Sequence, residues 1–531
     1  MKLELLMKLP ERGKQEGLVK YAQRLSELYS RAHSIEIRKQ RGQFFTPEQV
    51  STFMASLFEI RQDTIRLLDP GAGTGILTAA FCERLLKNDN IVNLTMDVYE
   101  NDRNLLPFLK MVLESCKAEL EMKGHKVEYN IYEQDFILRN KSYFTKSDLM
   151  WPDRKQILYD FIISNPPYYK LNVDSPQSIV MMGLISGQPN IYAFFMALSA
   201  SMIKPSGEMV FITPRSFCSG LYYKTFRQWL LSNAQITNIH IFESRKGIFE
   251  QDEVLQENII IKIRKLKQIN RHETLIISES KNKHFDKINK LVVQSEDIIF
   301  HKNGDIFIRI PTSAYDIEVM HIVDSWPDTL NGLGLEISTG PVVSFRAEEY
   351  LLPELTKSKS VPLLWMHNMQ EMRVIWPYHK NKKASAIQVC NDTKPLLLPV
   401  KNYVLVKRFS SKEQKRRLYA SVFLESEFPY DKVGIENHVN YIHKPNANLS
   451  VYDAFGIASI LNTTIVDKFF RSLNGNTQVN ATDIRSLPLP AIENIGKIGK
   501  FVYKSRDYLN KIDLDNIVAE ILGIKIELKD K

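Results

Sequence analysis

A glycine-rich turn with the sequence LLDPGAGTG, at residues 67–75, joins a short apolar segment to a helix-forming one. Glycine lets the backbone turn tightly, and the first turn of the following helix offers free N–H groups to a ligand. A dinucleotide fingerprint has the spacing G-x-G-x-x-G, whereas Gly71, Gly73 and Gly75 have the spacing G-x-G-x-G. The turn therefore predicts a cofactor site of a different type at the end of a first strand.

Strand-like and helix-like segments alternate from this turn outward, along residues 66–265. Such alternation predicts an α/β fold with a doubly wound, mostly parallel sheet. We assign residues 41–265 to this domain and residues 1–40 to a helical lead-in. Residues 266–531 are predicted to form a mixed α+β domain, with PVVSF at 341–345 among its short strands and one helix over 451–473.

Candidate ligand-binding side chains follow two further predicted strands. Glu100 ends the second strand, where a carboxylate can accept hydrogen bonds from two ribose hydroxyls. Near the end of a third strand, Asp135 could accept from an adenine amino group and Phe136 could cover the ring. Without the glycine turn, Glu100 would be an ordinary solvated carboxylate and the other two residues an ordinary polar loop.

The sharpest motif is Asn165-Pro166-Pro167-Tyr168, which follows the apolar strand at 161–163. An exocyclic amine on a nucleobase is a poor nucleophile because its lone pair is delocalised into the ring. Asn165 Oδ1 and the Pro166 carbonyl could grip the two amine hydrogens and favour the pyramidal, reactive form. The prolines stiffen the turn, and Tyr168 offers a flat face to a base taken out of a duplex. A rigid turn with no ligand is the plainer alternative.

With its motifs in this order, the chain resembles the N6-adenine DNA methyltransferases of the gamma class. The glycine turn resembles motif I of class I S-adenosylmethionine-dependent methyltransferases, which implies a Rossmann-like fold and S-adenosylmethionine as cofactor. The resemblance implies that the cofactor is bound by residues of motif I and of the two later strand ends, namely Asp69, Gly71, Gly73, Gly75, Glu100, Asp135 and Phe136.

Two further segments match this class of enzymes. RGQFFTPE at 41–48 resembles motif X, and its threonine, Thr46, would help to bind the methionine carboxylate. From the residues alone, Thr46 is also a plausible helix N-cap with proline at the first helical position. Phe249 resembles the aromatic residue that packs on the flipped base opposite Tyr168, although a lone phenylalanine before a strand is as often core.

The C-terminal half resembles restriction-modification methylases of the TaqI and PstI/BsuBI type in two segments, residues 337–346 (ISTGPVVSFR) and 470–490. The resemblance implies methyl transfer to N6 of a flipped-out adenine in a specific double-stranded DNA sequence, which would protect that sequence from a cognate restriction endonuclease. It implies duplex DNA as partner, a separate endonuclease as a functional partner, and a bacterial cytoplasmic location.

Four alternatives stay open. The same Asn-Pro-Pro-Tyr chemistry serves N4-cytosine, ribosomal RNA and protein glutamine methylation, and a DNA-binding defence protein without catalysis could keep the fold. The four cysteines argue against a C5-cytosine mechanism because none of them follows a proline. A combined nuclease and methylase is disfavoured because only about 40 residues precede motif X, fewer than an ordinary domain needs.

The resemblance implies that residues 266–531 are the target-recognition, DNA-binding domain, and basic residues are concentrated in one part of it. The chain has 70 Lys and Arg against 61 Asp and Glu, and residues 380–417 contain eleven of the basic residues but only two of the acidic ones. The remainder of the chain is neutral, with 59 of each. A lysine-rich run is usually a solvated surface, but here we predict DNA contacts by Lys380, Lys382, Lys383, Lys401, Lys407, Arg408, Lys412, Lys415, Arg416 and Arg417.

Composition agrees with a folded protein in a reducing compartment. Hydrophobic residues make up 44% of the chain, which is enough for packed cores in two to four domains of ordinary size. The four cysteines lie far apart, without a CxxC pair or a cluster at zinc-ligand spacing, so we expect a reducing compartment and no metal. No apolar run approaches the roughly 18 residues needed to span a bilayer.

Overall fold

The computed structural model describes residues 9–88, 90–144, 156–185, 190–243, 257–265, 273–281, 284–302, 304–356, 359–378, 383–410, 413–475, 477–511 and 513–525. The chain divides into two compact units, Met1–Thr312 and Ser313–Lys531. Within the described residues no helix is both long and apolar enough to cross a membrane.

The first unit is an α/β unit whose elements alternate along the chain. Its helices are α1 (Leu18–Ala32), α2 (Ile35–Gln40), α3 (Glu48–Ser56), α4 (Ile76–Leu86), α5 (Leu106–Met122), α6 (Phe136–Arg139), α7 (Pro176–Val180), α8 (Ile191–Met202), α9 (Lys224–Asn233) and α10 (Ser295–Ile298). Its strands are β1 (Thr64–Asp69), β2 (Asn93–Tyr99), β3 (Lys126–Tyr132), β4 (Tyr159–Ser164), β5 (Ile203–Pro214), β6 (Gln235–Phe242), β7 (Asn258–Arg264), β8 (Thr274–Lys281), β9 (His284–Gln294), β10 (Ile299–Lys302) and β11 (Asp305–Ile308).

Nine of the described strands form one sheet, in the order β3-β2-β1-β4-β5-β7-β6-β8-β9. The first five strands in this order are parallel to their neighbours, and β7 runs antiparallel to both β5 and β6. Strand order reverses on the two sides of β1, and ligands bind at such switch points outside the carboxyl ends of the strands. The predicted doubly wound, mostly parallel sheet is confirmed.

The described structure places the unit boundary later than the sequence prediction did. We expected a new domain from residue 266, but β8 pairs in parallel with β6, and β9 pairs with β8, so both extend the first sheet. The polar surface of this sheet edge hid the strands from sequence analysis. The lead-in at residues 1–40 also belongs to the first unit, because Leu18, Tyr21 and Leu25 of α1 are buried in the core that contains α4 and α5.

The second unit is mixed α+β, as predicted. Its helices are α11 (Ala314–Asp324), α12 (Val451–Leu461), α13 (Thr464–Leu473), α14 (Ala481–Arg485), α15 (Ile492–Lys504) and α16 (Leu514–Leu522). Its strands are β12 (Glu336–Thr339), β13 (Leu351–Leu352), β14 (Ser360–Leu364), β15 (Met369–Gln370), β16 (Met372–Val374), β17 (Ala386–Gln388), β18 (Leu397–Pro399), β19 (Tyr403–Lys407), β20 (Ala420–Phe423), β21 (Lys432–Ile435) and β22 (Val439–His443). The described strands form two sheets, β12-β22-β19-β20-β16-β15 and β13-β17-β14-β21-β18.

Two local predictions in this unit were wrong. The single helix expected over 451–473 is two helices, because the side chain of Asn462 leaves the helix to bond both the N–H and the C=O of Ala420, while Thr463 caps α13. Residues 341–345 form a turn with one isolated bridge, at Val342, and not a strand. Both errors arise from contacts with segments distant in sequence: the Asn462 side chain with Ala420, and the backbone of Val342 with Ile435 and Asn437.

Candidate active site

A cavity of about 530 Å³ lies beside the carboxyl ends of β1, β2 and β4. Eight residues singled out from the sequence line it: Thr46, Gly71, Gly73, Glu100, Asp135, Phe136, Asn165 and Pro167. The structure thus brings motif X, the glycine turn, both later strand ends and the Asn-Pro-Pro-Tyr turn to one place. Of the remaining predicted residues, Asp69, Gly75, Pro166 and Tyr168 do not line the cavity.

Glu100 fastens the glycine turn to the end of β2. Its Oε2 accepts a hydrogen bond of 2.9 Å from the Gly73 N–H, and its Oε1 accepts one of 2.8 Å from the Asp102 N–H. Burial raises the pKa of Glu100 to about 7, against the opposing effect of these two donors. Each carboxylate oxygen has a second lone pair, so Glu100 can hold the turn and still accept from a ligand.

Asp69 and Gly75 support the turn from behind. Asp69 is fully buried and accepts a hydrogen bond of 2.9 Å from the Thr78 hydroxyl in α4, and burial raises the pKa of Asp69 to about 7. Gly75 precedes α4 with φ +88°, and a Cβ there would lie 3.0 Å from Leu109 in α5. These contacts place α4 against β1 and α5, so the two residues shape the cavity without lining it.

Asp102 connects motif X to β2, a role that we did not predict. Tyr29 and Gln43 each donate a hydrogen bond of 2.9 Å to Asp102 Oδ2, and Arg41 forms an ion pair with the same oxygen. Burial alone would raise the pKa of Asp102, but hydrogen bonds from Gln43, the Asn104 N–H and Tyr29, together with the Arg41 charge, lower it to about 2. The only sequence signal was an acid two residues beyond Glu100.

The side chain of Asn165 is held in one orientation. Its Nδ2 donates to the Phe44 carbonyl at 2.7 Å and to Thr46 Oγ1 at 3.0 Å. The Phe44 carbonyl can only accept, so the amide nitrogen must face it and Oδ1 must face the other way. There Oδ1 accepts a 2.6 Å hydrogen bond from the Tyr168 hydroxyl. Motif X therefore determines where the predicted catalytic oxygen points.

Tyr168 is packed more tightly than an open stacking face would be. Its side chain is 8% exposed, and its ring lies 6.0 Å from that of Phe44 at an interplanar angle of 20°. Tyr192 packs edge-on against it at 6.3 Å. Burial raises the pKa of the phenol far above its usual value, so the hydroxyl stays a donor. Little of the ring is open, so stacking of a base on Tyr168 stays a prediction.

The absence of a side chain at Gly42 allows motif X to pack closely against the Asn-Pro-Pro-Tyr turn. Gly42 has φ +64°, and a Cβ there would lie 2.9 Å from the Tyr168 backbone nitrogen and 3.1 Å from Pro167. Thr46, 2% exposed, does not cap a helix as we had considered, because α3 begins at Glu48 with Pro47 as its N-cap residue. The Thr46 hydroxyl accepts from Asn165, which leaves its own hydrogen to donate.

Asp135 and Phe136 line the far side of the cavity. Asp135 caps α6 by accepting from the Leu138 N–H at 2.9 Å, and its other oxygen accepts from Gln177 at 2.8 Å. Phe136 is 2% exposed and contacts the rings of Tyr99 and Phe195, each at 5.1 Å. Only the small exposed part of the Phe136 ring could cover an adenine, as predicted from the sequence.

The lining fits the cofactor implied by the fold. Glu100 would offer acceptors to the ribose hydroxyls and the hydroxyl of Thr46 a donor to a carboxylate, while Asp135 and Phe136 would offer an acceptor and an apolar ring to adenine. The positive φ of Gly73, +57°, with Phe45 3.4 Å from the position of a Cβ, keeps this part of the wall free of a side chain. Among the described residues, no three His, Cys, Asp or Glu side chains are grouped as metal ligands would be.

The predicted DNA-binding window is not uniform. Lys383 and Lys415 are exposed and Lys401 and Arg416 half-buried, whereas Arg417 is 1% exposed and donates to Ser410 and to the Asn474 carbonyl. Assigning Arg417 to DNA contact was therefore wrong; it is a core residue. Lys407 packs over the Tyr419 ring at 3.8 Å, and burial lowers its pKa. Lys380, Lys382 and Lys412, like Phe249, lie outside the described residues.

Comparison with known proteins finds restriction-modification methylases. The Eco57I restriction-modification methylase profile matches residues 3–249. The chain is 35% identical over 479 residues to the Type II methyltransferase M.PstI of Providencia stuartii, covering 90% of this chain and 92% of that protein. It is 36% identical over 490 residues to M.BsuBI of Bacillus subtilis, covering 91% and 94%.

A solved structure, the DrdV–DNA complex, is 13% identical, with a TM-score of 0.49, and covers 91% of this chain and 59% of that one. The relatives M.PstI and M.BsuBI match both described units, since their alignments extend over nine tenths of the sequence. The chain belongs to the restriction-modification methylase family of the Type II methyltransferases, and it is an S-adenosylmethionine-dependent methyltransferase.

Proposed function

We propose that the protein methylates N6 of an adenine flipped out of a specific double-stranded DNA sequence. The observation that carries this proposal is the fixed carboxamide of Asn165, whose Oδ1 orientation is set by Phe44 and Thr46 at the cavity wall. A flipped base is the form in which enzymes reach an atom hidden in a duplex. Membership of the restriction-modification methylase family supports DNA as the substrate.

Each catalytic group would act on the target amine. Asn165 Oδ1 and the Pro166 carbonyl would accept its two hydrogens and concentrate the lone pair on nitrogen. Among the described residues, the Pro166 carbonyl has no hydrogen-bond donor, so it is available to the amine. When bound, S-adenosylmethionine would supply an electrophilic methyl group for direct displacement, with S-adenosylhomocysteine as the leaving group and one amine proton released to solvent. Tyr168 would contact the base with its ring, and Phe249 would face it from the other side.

Two further parts of the proposal concern partners. The second unit would bind duplex DNA and select the sequence, with the lysines and arginines of residues 380–417 other than Arg417 on the backbone. A separate restriction endonuclease of the same specificity would be the functional partner, and methylation would protect the host sequence from it. This assigns cofactor and chemistry to the first unit and sequence recognition to the second.

Product analysis tests the proposal. The purified protein is incubated with S-adenosylmethionine carrying a tritiated methyl group and with DNA from a host without DNA methylation. We expect label in N6-methyladenine, in one sequence context that single-molecule sequencing identifies. Label in N4-methylcytosine, in RNA or in protein glutamine, with none in N6-methyladenine, would contradict it.

A further inference from the structure

We propose that bases are read by a composite surface of the second unit, formed by Phe345, Arg346, Arg408, Phe409, His438 and Gln478. We call these six residues the reading face. The inference rests on the proposed function insofar as duplex DNA is the substrate. It also explains why residues 337–346 and 470–490, the two segments that resemble restriction-modification methylases, are joined in the fold.

Backbone hydrogen bonds hold four chain segments side by side at this face. The Asn437 N–H donates to the Val342 carbonyl at 2.9 Å, which places the turn carrying Phe345 and Arg346 beside β21 and β22. The Arg408 N–H donates to the His438 carbonyl at 2.9 Å. The Val479 N–H donates to the Arg408 carbonyl at 2.8 Å, and Phe409 and Gln478 form an isolated antiparallel β-bridge.

A buried amide and a glycine make this junction rigid. Asn440 is fully buried; its Oδ1 accepts from the Thr339 hydroxyl at 2.9 Å and its Nδ2 donates to the Val479 carbonyl at 2.8 Å. A Cβ on Gly340 would lie 2.4 Å from the Glu436 carbonyl oxygen, so a larger residue would push the turn away. Side chains that read bases need such a fixed base of support.

Glu436 orients His438 without adding exposed negative charge. Its carboxylate is 0% exposed and accepts from the His438 N–H at 2.9 Å and from His438 Nδ1 at 2.6 Å. The imidazole itself is 43% exposed, with Nε2 as its remaining polar atom. The ring lies 4.9 Å from that of Phe409. The pair therefore holds the imidazole in one orientation and leaves Nε2 without a hydrogen-bond partner among the described residues.

The exposed groups of the face suit base edges in a groove. Arg346 and Gln478 are exposed, and among the described residues neither side chain has a hydrogen-bond or ion-pair partner. Arginine pairs with guanine O6 and N7, and glutamine with adenine N6 and N7. Phe345 is 73% exposed beside the Arg346 guanidinium, at 5.5 Å. Arg408 donates to the Asn437 carbonyl at 2.9 Å, which holds its positive charge at the centre of the face.

The experiment compares discrimination between sequences, and not activity alone. The methylated sequence is first found by sequencing DNA from cells that express the wild-type protein. Methyl transfer is then measured on a duplex with that sequence and on duplexes with one base pair changed. For Arg346→Ala and for Gln478→Ala we expect kcat/KM on the cognate duplex to fall at least about tenfold. We also expect each variant to lose discrimination at one or two positions of the site, with KM for S-adenosylmethionine unchanged.

Lys500→Ala, which removes an exposed cation on α15, is the matched control and should leave both cognate kcat/KM and discrimination unchanged. Unchanged discrimination in both Arg346→Ala and Gln478→Ala would overturn the inference, whether the cognate rate is kept or falls equally on all duplexes. The proposed function fails separately, in the wild-type protein, if the methyl group is found on an atom other than adenine N6. Discrimination between duplex sequences tests the reading face whichever DNA base is modified.

Discussion

The Tyr168 hydroxyl lies 2.6 Å from Asn165 Oδ1 and 2.8 Å from the Ile212 carbonyl oxygen. A phenol has one hydrogen, so it can satisfy only one of these acceptors fully at a time. When an amine approaches Asn165 Oδ1, the phenol can turn its hydrogen to Ile212 and leave the carboxamide oxygen to the amine. This relationship connects the first and last residues of the motif.

Removing the carboxamide should stop the reaction without preventing DNA binding. For Asn165→Ala we expect kcat to fall by about 100-fold or more, because an acceptor for the developing positive amine is lost. Equilibrium binding to the cognate duplex should change by no more than a few-fold, since the second unit is intact. Filter binding and steady-state kinetics measure the two effects, and unchanged turnover would refute the role of Asn165.

Removing only the phenol oxygen should have a smaller effect than removing the ring. Tyr168→Phe keeps the contacts with Phe44 and Tyr192 but loses the hydrogen bond that aligns Asn165 Oδ1, so we expect kcat to fall by about three- to tenfold. Tyr168→Ala should lower it further, because the base loses its aromatic contact as well. Equal kinetics for the two variants would show that the hydroxyl, and not the ring, is what matters.

Cofactor affinity should depend on pH through Glu100. Burial raises the pKa of Glu100 to about 7 in the cofactor-free protein, and ribose hydroxyls would donate to the ionised carboxylate. We therefore expect the affinity for S-adenosylmethionine to increase as pH rises through about 7 and then to level off. Calorimetric titration of the wild type and of Glu100→Gln tests this; the variant should bind weakly and with a flatter pH profile.

Buried carboxyl groups at the cavity should also make the folding stability depend on pH. Since burial raises the pKa values of Asp69 and Glu100 to about 7, the stability that their protonation contributes is complete below about pH 4 and is lost as pH rises through about 7. Burial lowers the pKa of His240 to about 3, so this residue makes the folded protein more stable as pH rises from about 3 to 6.5, opposite to the effect of the two acids. The informative quantity is thus the difference between wild-type and Glu100→Gln thermal midpoints, which should change steadily from pH 5 to 7.5.

A side chain at Gly42 should misplace motif X. Gly42→Ala introduces a Cβ 2.9 Å from the Tyr168 nitrogen at a positive φ, which costs about 1–3 kcal/mol of strain. We expect weaker cofactor binding and lower kcat together, because Phe44 and Thr46 anchor Asn165 from this segment. Gly183→Ala, also at positive φ but in open space, is the control for backbone strain alone.

Substitution of Arg417 should lower stability, whereas substitution of the nearby Lys415 should weaken DNA binding. Arg417→Ala removes the buried donor to the Ser410 hydroxyl and the Asn474 carbonyl, so we expect the free energy of unfolding to fall by about 1–3 kcal/mol. Lys415→Ala, at an exposed position, should not alter stability but should weaken DNA binding and reduce its salt dependence. Denaturant unfolding and binding at several salt concentrations separate the two. Equal stability of the two variants would contradict the burial of Arg417.

Local sequence was sufficient for the parallel sheet and for the part of the cavity that the glycine turn and the strand ends form. Strand, glycine turn and strand-end acid follow one another within a short distance, and the parallel strands bring Gly73, Glu100 and Asn165 to one edge of the sheet. Hydrophobic periodicity and turn chemistry act over such short ranges, which is why these elements could be predicted.

The remainder depends on contacts between residues far apart in the chain. The ion pair of Arg41 with Asp102, the orientation of Asn165 by Phe44, the burial of Arg417 and the break in the helix at Asn462 each require a partner that folding brings close. Charge along the sequence located the basic window, but a linear count cannot distinguish Arg417 in the core from Lys415 at the surface. The motifs therefore predicted an S-adenosylmethionine-dependent methyltransferase, whereas long-range packing decided which atoms face the cavity and which side chains remain outside.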